Sequence, residues 1–223
     1  MITVNDSKEF SLVKEYIYDG NENSLGTLRK CTNISKIYQD NYNQNLGYKI
    51  YMFKHNGEKE LIQCLHKYGK YVIHTEFPFG VVTYNGVIGQ AMPYYGDGIT
   101  LEKRLLDQHI NPYSLLIKVY TAVKELYDNG ILYYDIHSKN IMVVNSIIRL
   151  IDFDYKHIEF GKNGKIYEEE LVNSFLNKLI AFLSFNCRVH TYMPNLDKIS
   201  SLNDLYEELC HAEEQVKVRL LKK

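Results

Sequence analysis

Tryptophan is absent from the 223 residues, and proline and cysteine each occur only 4 times. With so few prolines no Pro-rich linker divides the chain, so any internal boundary is a short hinge. Cys31, Cys64, Cys187 and Cys210 are scattered, with no Cys-x-x-Cys pair. That argues against a zinc ribbon or a disulfide scaffold, and for reduced thiols in a cytoplasmic setting. No apolar run approaches the roughly 20 residues that span a bilayer, so no membrane span is expected. Residues 1–6 lack the charged and apolar segments of a signal peptide. Charge of one sign is also missing. Lys plus Arg total 26 and Asp plus Glu 27, a net charge of −1, so no nucleic-acid surface is expected at the level of the whole chain. Repeats and low-complexity tracts are absent too. What remains is 45% hydrophobic and 24% charged, the composition of a folded protein, with an unusual 20 tyrosines.

The pattern along the chain changes once. Residues 15–18, 27–31 and 34–38 read as strands, the last two pairing across Thr32-Asn33. After Asn56-Gly57, residues 58–66 carry Leu61, Ile62 and Leu65 at helical spacing. Asn85-Gly86 between residues 80–84 and 87–92 is a strong hairpin signal, because a type I′ turn needs positive φ at both central positions. Beyond a hinge at 93–98 the pattern turns helical, at 101–106 and 113–127. Asn111-Pro112 opens the second of these and Asn129-Gly130 closes it. Two short apolar runs, 141–144 and 147–153, precede helical stretches at 167–184 and 202–221. A strand-rich part (1–95) followed by a helical part (96–223) predicts a segregated α+β protein with two lobes and a cleft between them.

The chemistry concentrates between the helix ending at Asn129 and the apolar runs. Tyr134-Asp135-Ile136-His137-Ser138-Lys139-Asn140 occupies the loop, and Ile151-Asp152-Phe153-Asp154 lies at the end of the second run. Asp135, Asn140 and Asp152 therefore fall at the ends of a hairpin, where they can converge. Amide and carboxylate oxygens are hard ligands that suit Mg²⁺ beside phosphate oxygens. A further carboxylate can accept a proton from an attacking hydroxyl. Asp135 and Asn140 at this spacing, followed by Asp152-Phe153 after a hydrophobic run, resemble the catalytic loop and metal motif of the protein kinase-like superfamily.

The resemblance implies a two-lobed kinase-like fold with an N-lobe over 1–95 and a C-lobe over 96–223. It implies ATP and Mg²⁺ as cofactors, Asp135 as catalytic base, and Asn140 and Asp152 as metal ligands. It also asks for a glycine loop, met by Gly20 and Gly26, and for a strand lysine, met by Lys36 with Lys54 as rival. A helix carboxylate to hold that lysine falls on Glu58, with Glu60 as alternative. At the hinge, Met92 would back the adenine, the Pro93 carbonyl would accept from its amino group, and the Tyr95 amide would donate to a ring nitrogen. Three features depart from the family. Tyr134 stands where many protein kinases have Arg, Asp154 replaces the Gly of Asp-Phe-Gly, and His137 resembles small-molecule kinases of the aminoglycoside and choline type. The implied activity is ATP- and Mg²⁺-dependent phosphoryl transfer to a hydroxyl, with a protein acceptor preferred. A small-molecule acceptor, a pseudokinase that only binds a partner, and nucleotidyl transfer stay open as alternatives.

Overall fold

A computed structural model describes residues 13–53, 57–107, 109–161, 165–184 and 194–220. They form an α+β protein whose contacts divide into two compact units. One holds the residues up to 71, together with 76–97 and 153–156; the other holds 72–75, 98–152 and the residues from 157 onward. The division is thus not a single cut along the chain.

The first unit contains β1 (Lys14–Tyr18), β2 (Thr27–Cys31), β3 (Ser35–Gln39), β4 (Leu46–Tyr51), α1 (Glu58–Tyr68), β5 (Gly80–Tyr84) and β6 (Val87–Pro93). The six strands make one sheet in the order β1-β5-β6-β4-β3-β2. β1 runs parallel to β5, and every other pairing is antiparallel. Asn85 and Gly86 take φ of +47° and +77°, as the β5–β6 turn requires. α1 presents Leu61, Ile62 and Leu65, all fully buried, to β5 and β6.

β4, like the short strands Ile99–Thr100, Ile131–Tyr133 and Ile158–Phe160 of the second unit, is not announced by the pattern of the sequence. All six of its residues are buried, so it lacks the in-out alternation by which a half-exposed strand is recognised. It is nevertheless central to the sheet, paired with β3 on one side and β6 on the other.

The segment joining β1 to β2 is built around fixed glycines. Gly20 donates its amide to Asn85 Oδ1 (2.9 Å), and its carbonyl accepts from the Tyr84 hydroxyl (2.9 Å). Gly26 has φ +117°, and a Cβ there would stand 2.0 Å from the Gln39 carbonyl oxygen. Gly26→Ala therefore combines strain with a backbone clash, and is expected to cost about 3 kcal/mol. Gly20→Ala, at φ +102° but with open space around it, is expected to cost about 1 kcal/mol. Urea unfolding midpoints check both; equal costs would contradict the close approach at Gly26.

The second unit contains β7 (Ile99–Thr100), α2 (Leu101–Leu105), α3 (Pro112–Asp128), β8 (Ile131–Tyr133), β9 (Ile141–Val144), β10 (Ile147–Leu150), β11 (Ile158–Phe160), α4 (Lys165–Ser184) and α5 (Leu202–Leu220). Asn111 caps α3 by accepting from the Tyr113 amide (3.1 Å), with Pro112 in the first turn. Gly130 (φ +76°) lets the chain leave α3 for β8. β9 pairs with β10 and β7, and β8 pairs with β11. α3 packs on α5, with Tyr120 stacked on Tyr206 at 5.3 Å between ring centroids. No helix among the described residues is long and apolar enough to cross a membrane.

Candidate active site

In the second unit, the loop between β8 and β9 holds its carboxylate by short local bonds. Asn140 donates through Nδ2 to Asp135 Oδ2 (2.6 Å), and its own amide bonds the His137 carbonyl (2.9 Å). Asn140 is buried, at 5% exposure. His137 Nε2 lies 3.5 Å from the other oxygen of Asp135, and His137 Nδ1 accepts from the Lys139 amide (3.2 Å). The next stretch is tied to the same loop, because the Ile151 amide donates to the Asn140 carbonyl (2.9 Å) and the Tyr133 hydroxyl donates to the Ile151 carbonyl (2.9 Å). Asp152 then adopts φ +69°, the left-handed region that few residues other than glycine occupy. Backbone held there against its preference is a mark of sites where geometry matters. An asparagine amide oxygen and an aspartate carboxylate form a hard donor pair that suits Mg²⁺ when phosphate oxygens complete the coordination.

Tyr134 is anchored. Its amide donates to the His157 carbonyl (2.9 Å) and its hydroxyl to Glu170 on α4 (3.2 Å). Burial, with Glu159 and Glu170 nearby, pushes its phenol well above the usual range, so it stays neutral.

In the first unit a second polar cluster lies on one face of the sheet. Lys49 on β4 stands directly opposite Gln90 on β6, so both side chains share that face. Lys49 is buried, and its Nζ lies 3.0 and 3.1 Å from the two carboxylate oxygens of Asp154. Tyr51, two residues along, donates its hydroxyl to Asp154 Oδ1 (2.5 Å). Gln90, also buried, donates to Glu58 Oε2 (2.6 Å) and to the Phe153 carbonyl (2.9 Å). Glu58 is the first residue of α1 and only 1% exposed.

The residues expected from sequence separate into those this geometry gathers and those it sends elsewhere. Asp135 and Asn140 are in contact, with Asp152 close behind them on the chain. Met92 and Pro93 end β6, and Met92 is in register with Gly47 of β4. The Tyr95 hydroxyl donates to Glu76 (3.1 Å). Lys36 is a correction. It lies on β3 with its ammonium 2.5 Å from Glu22, which raises its pKa above the usual range, and not with Glu58. The reason is that the strand leading into α1 is β4, not β3, so the buried lysine is Lys49. Lys54 lies outside the described residues. Glu60 is half-buried on α1, beside the groove lined by Glu15 and Ile17. Gly20 and Gly26 brace the β1–β2 connection against the β5–β6 turn and β3. Lys49, Tyr51 and Gln90 were not singled out from sequence, although a glutamine inside the apolar run of β6 was an available signal; Asp154 was noted only as a departure from the glycine of the family motif.

No family model matches the sequence, and no curated protein matches it. Among solved structures, the crystal structure of the kinase domain of PknI from Mycobacterium tuberculosis, in a cysteine-to-alanine variant, aligns with a TM-score of 0.52 at 15% identity, covering 84% of this chain and 93% of that one. The chain has a protein kinase-like fold. The kinase-like architecture accounts for the strand-rich unit with its one helix and for the placement of Asp135, Asn140 and Asp152 around a short hairpin.

Proposed function

We propose that this chain is an ATP- and Mg²⁺-dependent phosphotransferase that moves the γ-phosphoryl group to a hydroxyl, with a protein side chain as the preferred acceptor. The observation that carries the reading is the Asp135–Asn140 hydrogen bond, in a loop followed by Asp152 at positive φ. Asp135 takes the proton as the acceptor oxygen attacks phosphorus. The bond from the γ-phosphorus to its bridging oxygen breaks, and ADP leaves. Asn140 and Asp152 would hold Mg²⁺, which would supply charge neutralisation at the phosphates. Lys49 contacts the phosphates in place of Lys36, and Glu58, fixed by Gln90, braces α1 near it. Met92, Pro93 and Tyr95 receive the adenine. The β2–β3 turn is closed by Thr32, whose Oγ1 accepts from the Ser35 amide (3.0 Å). It contains no glycine, and Lys49 and the metal would carry most of the phosphate binding.

His137 beside Asp135 favours a second reading, a small-molecule acceptor. Incubation with γ-labelled ATP and Mg²⁺, once with a protein extract and once with a pool of small metabolites, separates the two by which fraction takes label. Label in neither sinks both. The neutral, anchored Tyr134 in the usual place of an Arg also predicts that no activating phosphate is read there. Phosphatase treatment followed by removal of the phosphatase is expected to leave the rate unchanged; a large loss would show a phosphate-dependent switch.

A further inference from the structure

Asp154 stands where the kinase motif has glycine, and a glycine cannot do what this side chain does. Lys49 keeps only 5% of its side chain in contact with solvent. An ammonium so buried needs a fixed counter-charge. Asp154 supplies it through both carboxylate oxygens, at 3.0 and 3.1 Å. The carboxylate is itself held in place. The Tyr51 hydroxyl donates to it at 2.5 Å, and the Tyr51 ring lies 4.8 Å from the same ammonium. One residue earlier, the Phe153 carbonyl is tied to Gln90, the residue opposite Lys49 in the sheet, and the Phe153 ring packs edge-on against Phe77 at 5.2 Å. Backbone, carboxylate and lysine are therefore fixed on one sheet face.

We infer that Asp154 is a positioning residue: it orients the Lys49 ammonium for the nucleotide phosphates, so that the segment carrying Asp152 also sets the lysine. The inference rests on the phosphotransfer reading and deepens it. It predicts that Asp154 acts through Lys49.

The test is a double-substitution cycle with Lys49→Met, Asp154→Asn and the pair, reading KM for ATP and kcat separately, with melting temperatures recorded in parallel. Asp154→Asn is expected to raise the KM for ATP roughly tenfold, within the range for directly coupled neighbours. The double variant is expected to match Lys49→Met within about twofold, and Asp154→Glu to recover part of the loss. An unchanged or lowered KM in Asp154→Asn, or effects that simply multiply in the double variant, would overturn the inference. Multiplying effects would mean that Asp154 serves the fold, and a lowered KM that it restrains the lysine. If the parent chain gains no stability from Mg²⁺-ATP, the phosphotransfer reading itself fails. The same cycle read in unfolding free energy then decides the inference: coupling between positions 49 and 154 sustains the clamp, and additivity removes it.

Discussion

Lys49→Met is expected to lower ATP-dependent phosphoryl transfer by about 10² to 10³-fold, the loss typical when one preorganised charge facing the reacting group is removed. Lys36→Met is expected to leave the rate within about twofold, since an exposed surface ion pair contributes little. The contrast follows from position. Lys49 lies on the central strand β4, buried, with Asp154 at its ammonium. Lys36 pairs with Glu22 beside the outer strand β2. Methionine approximates the lysine stem in volume, so the packing of β4 is largely kept. Initial rates with circular dichroism as a fold control check both variants. A severe loss in Lys36→Met with an active Lys49→Met would reverse the assignment.

Asp135→Asn and Asp152→Asn are expected to separate transfer from nucleotide binding. A ligand that binds only the folded state stabilises it by about 2.7 kcal/mol at 100 times its dissociation constant. For a chain of this size that is a rise of roughly 5–10 °C in melting temperature. Asp135→Asn is expected to keep most of that rise while transfer falls by about 10² to 10⁴-fold, because a base acts on the acceptor proton and not on the bound nucleotide. Asparagine also keeps the side-chain shape that meets Asn140 Nδ2 at 2.6 Å. Asp152→Asn is expected to lose transfer together with the Mg²⁺-dependent part of the rise, since a metal ligand lowers the energy of ground and transition states alike. Melting curves with ATP alone and with Mg²⁺-ATP measure the difference. Equal behaviour of the two variants would mean that Asp135 and Asp152 do not hold the roles given them, and a parent chain with no Mg²⁺-ATP rise would favour a binding module over an enzyme.

Much of the architecture can be read in the linear chain because it is local. The Asn85-Gly86 turn, the Asn111-Pro112 start of α3, the Asn129-Gly130 stop and the helical spacing of Leu61, Ile62 and Leu65 are each decided by a few neighbouring residues, and the structure realises all of them. The spacing of Asp135, Asn140 and Asp152 is equally local, since one short hairpin, β9–β10, lies between the loop and Asp152. β4 could not be read this way. A strand covered on both faces has no alternation, and the burial of Lys49 depends on β3, β6 and the 153–156 segment, all brought together by the fold. With β4 unseen, the lysine expected on the third strand falls on Lys36 of β3, beside Glu22, while the buried lysine stands on β4. Residue types and spacing determined the fold class and the local placing of Asp135 beside Asn140. Which lysine is buried, and which carboxylate it faces, was decided only by tertiary packing, because a buried charge is stable only where distant segments bring it a partner.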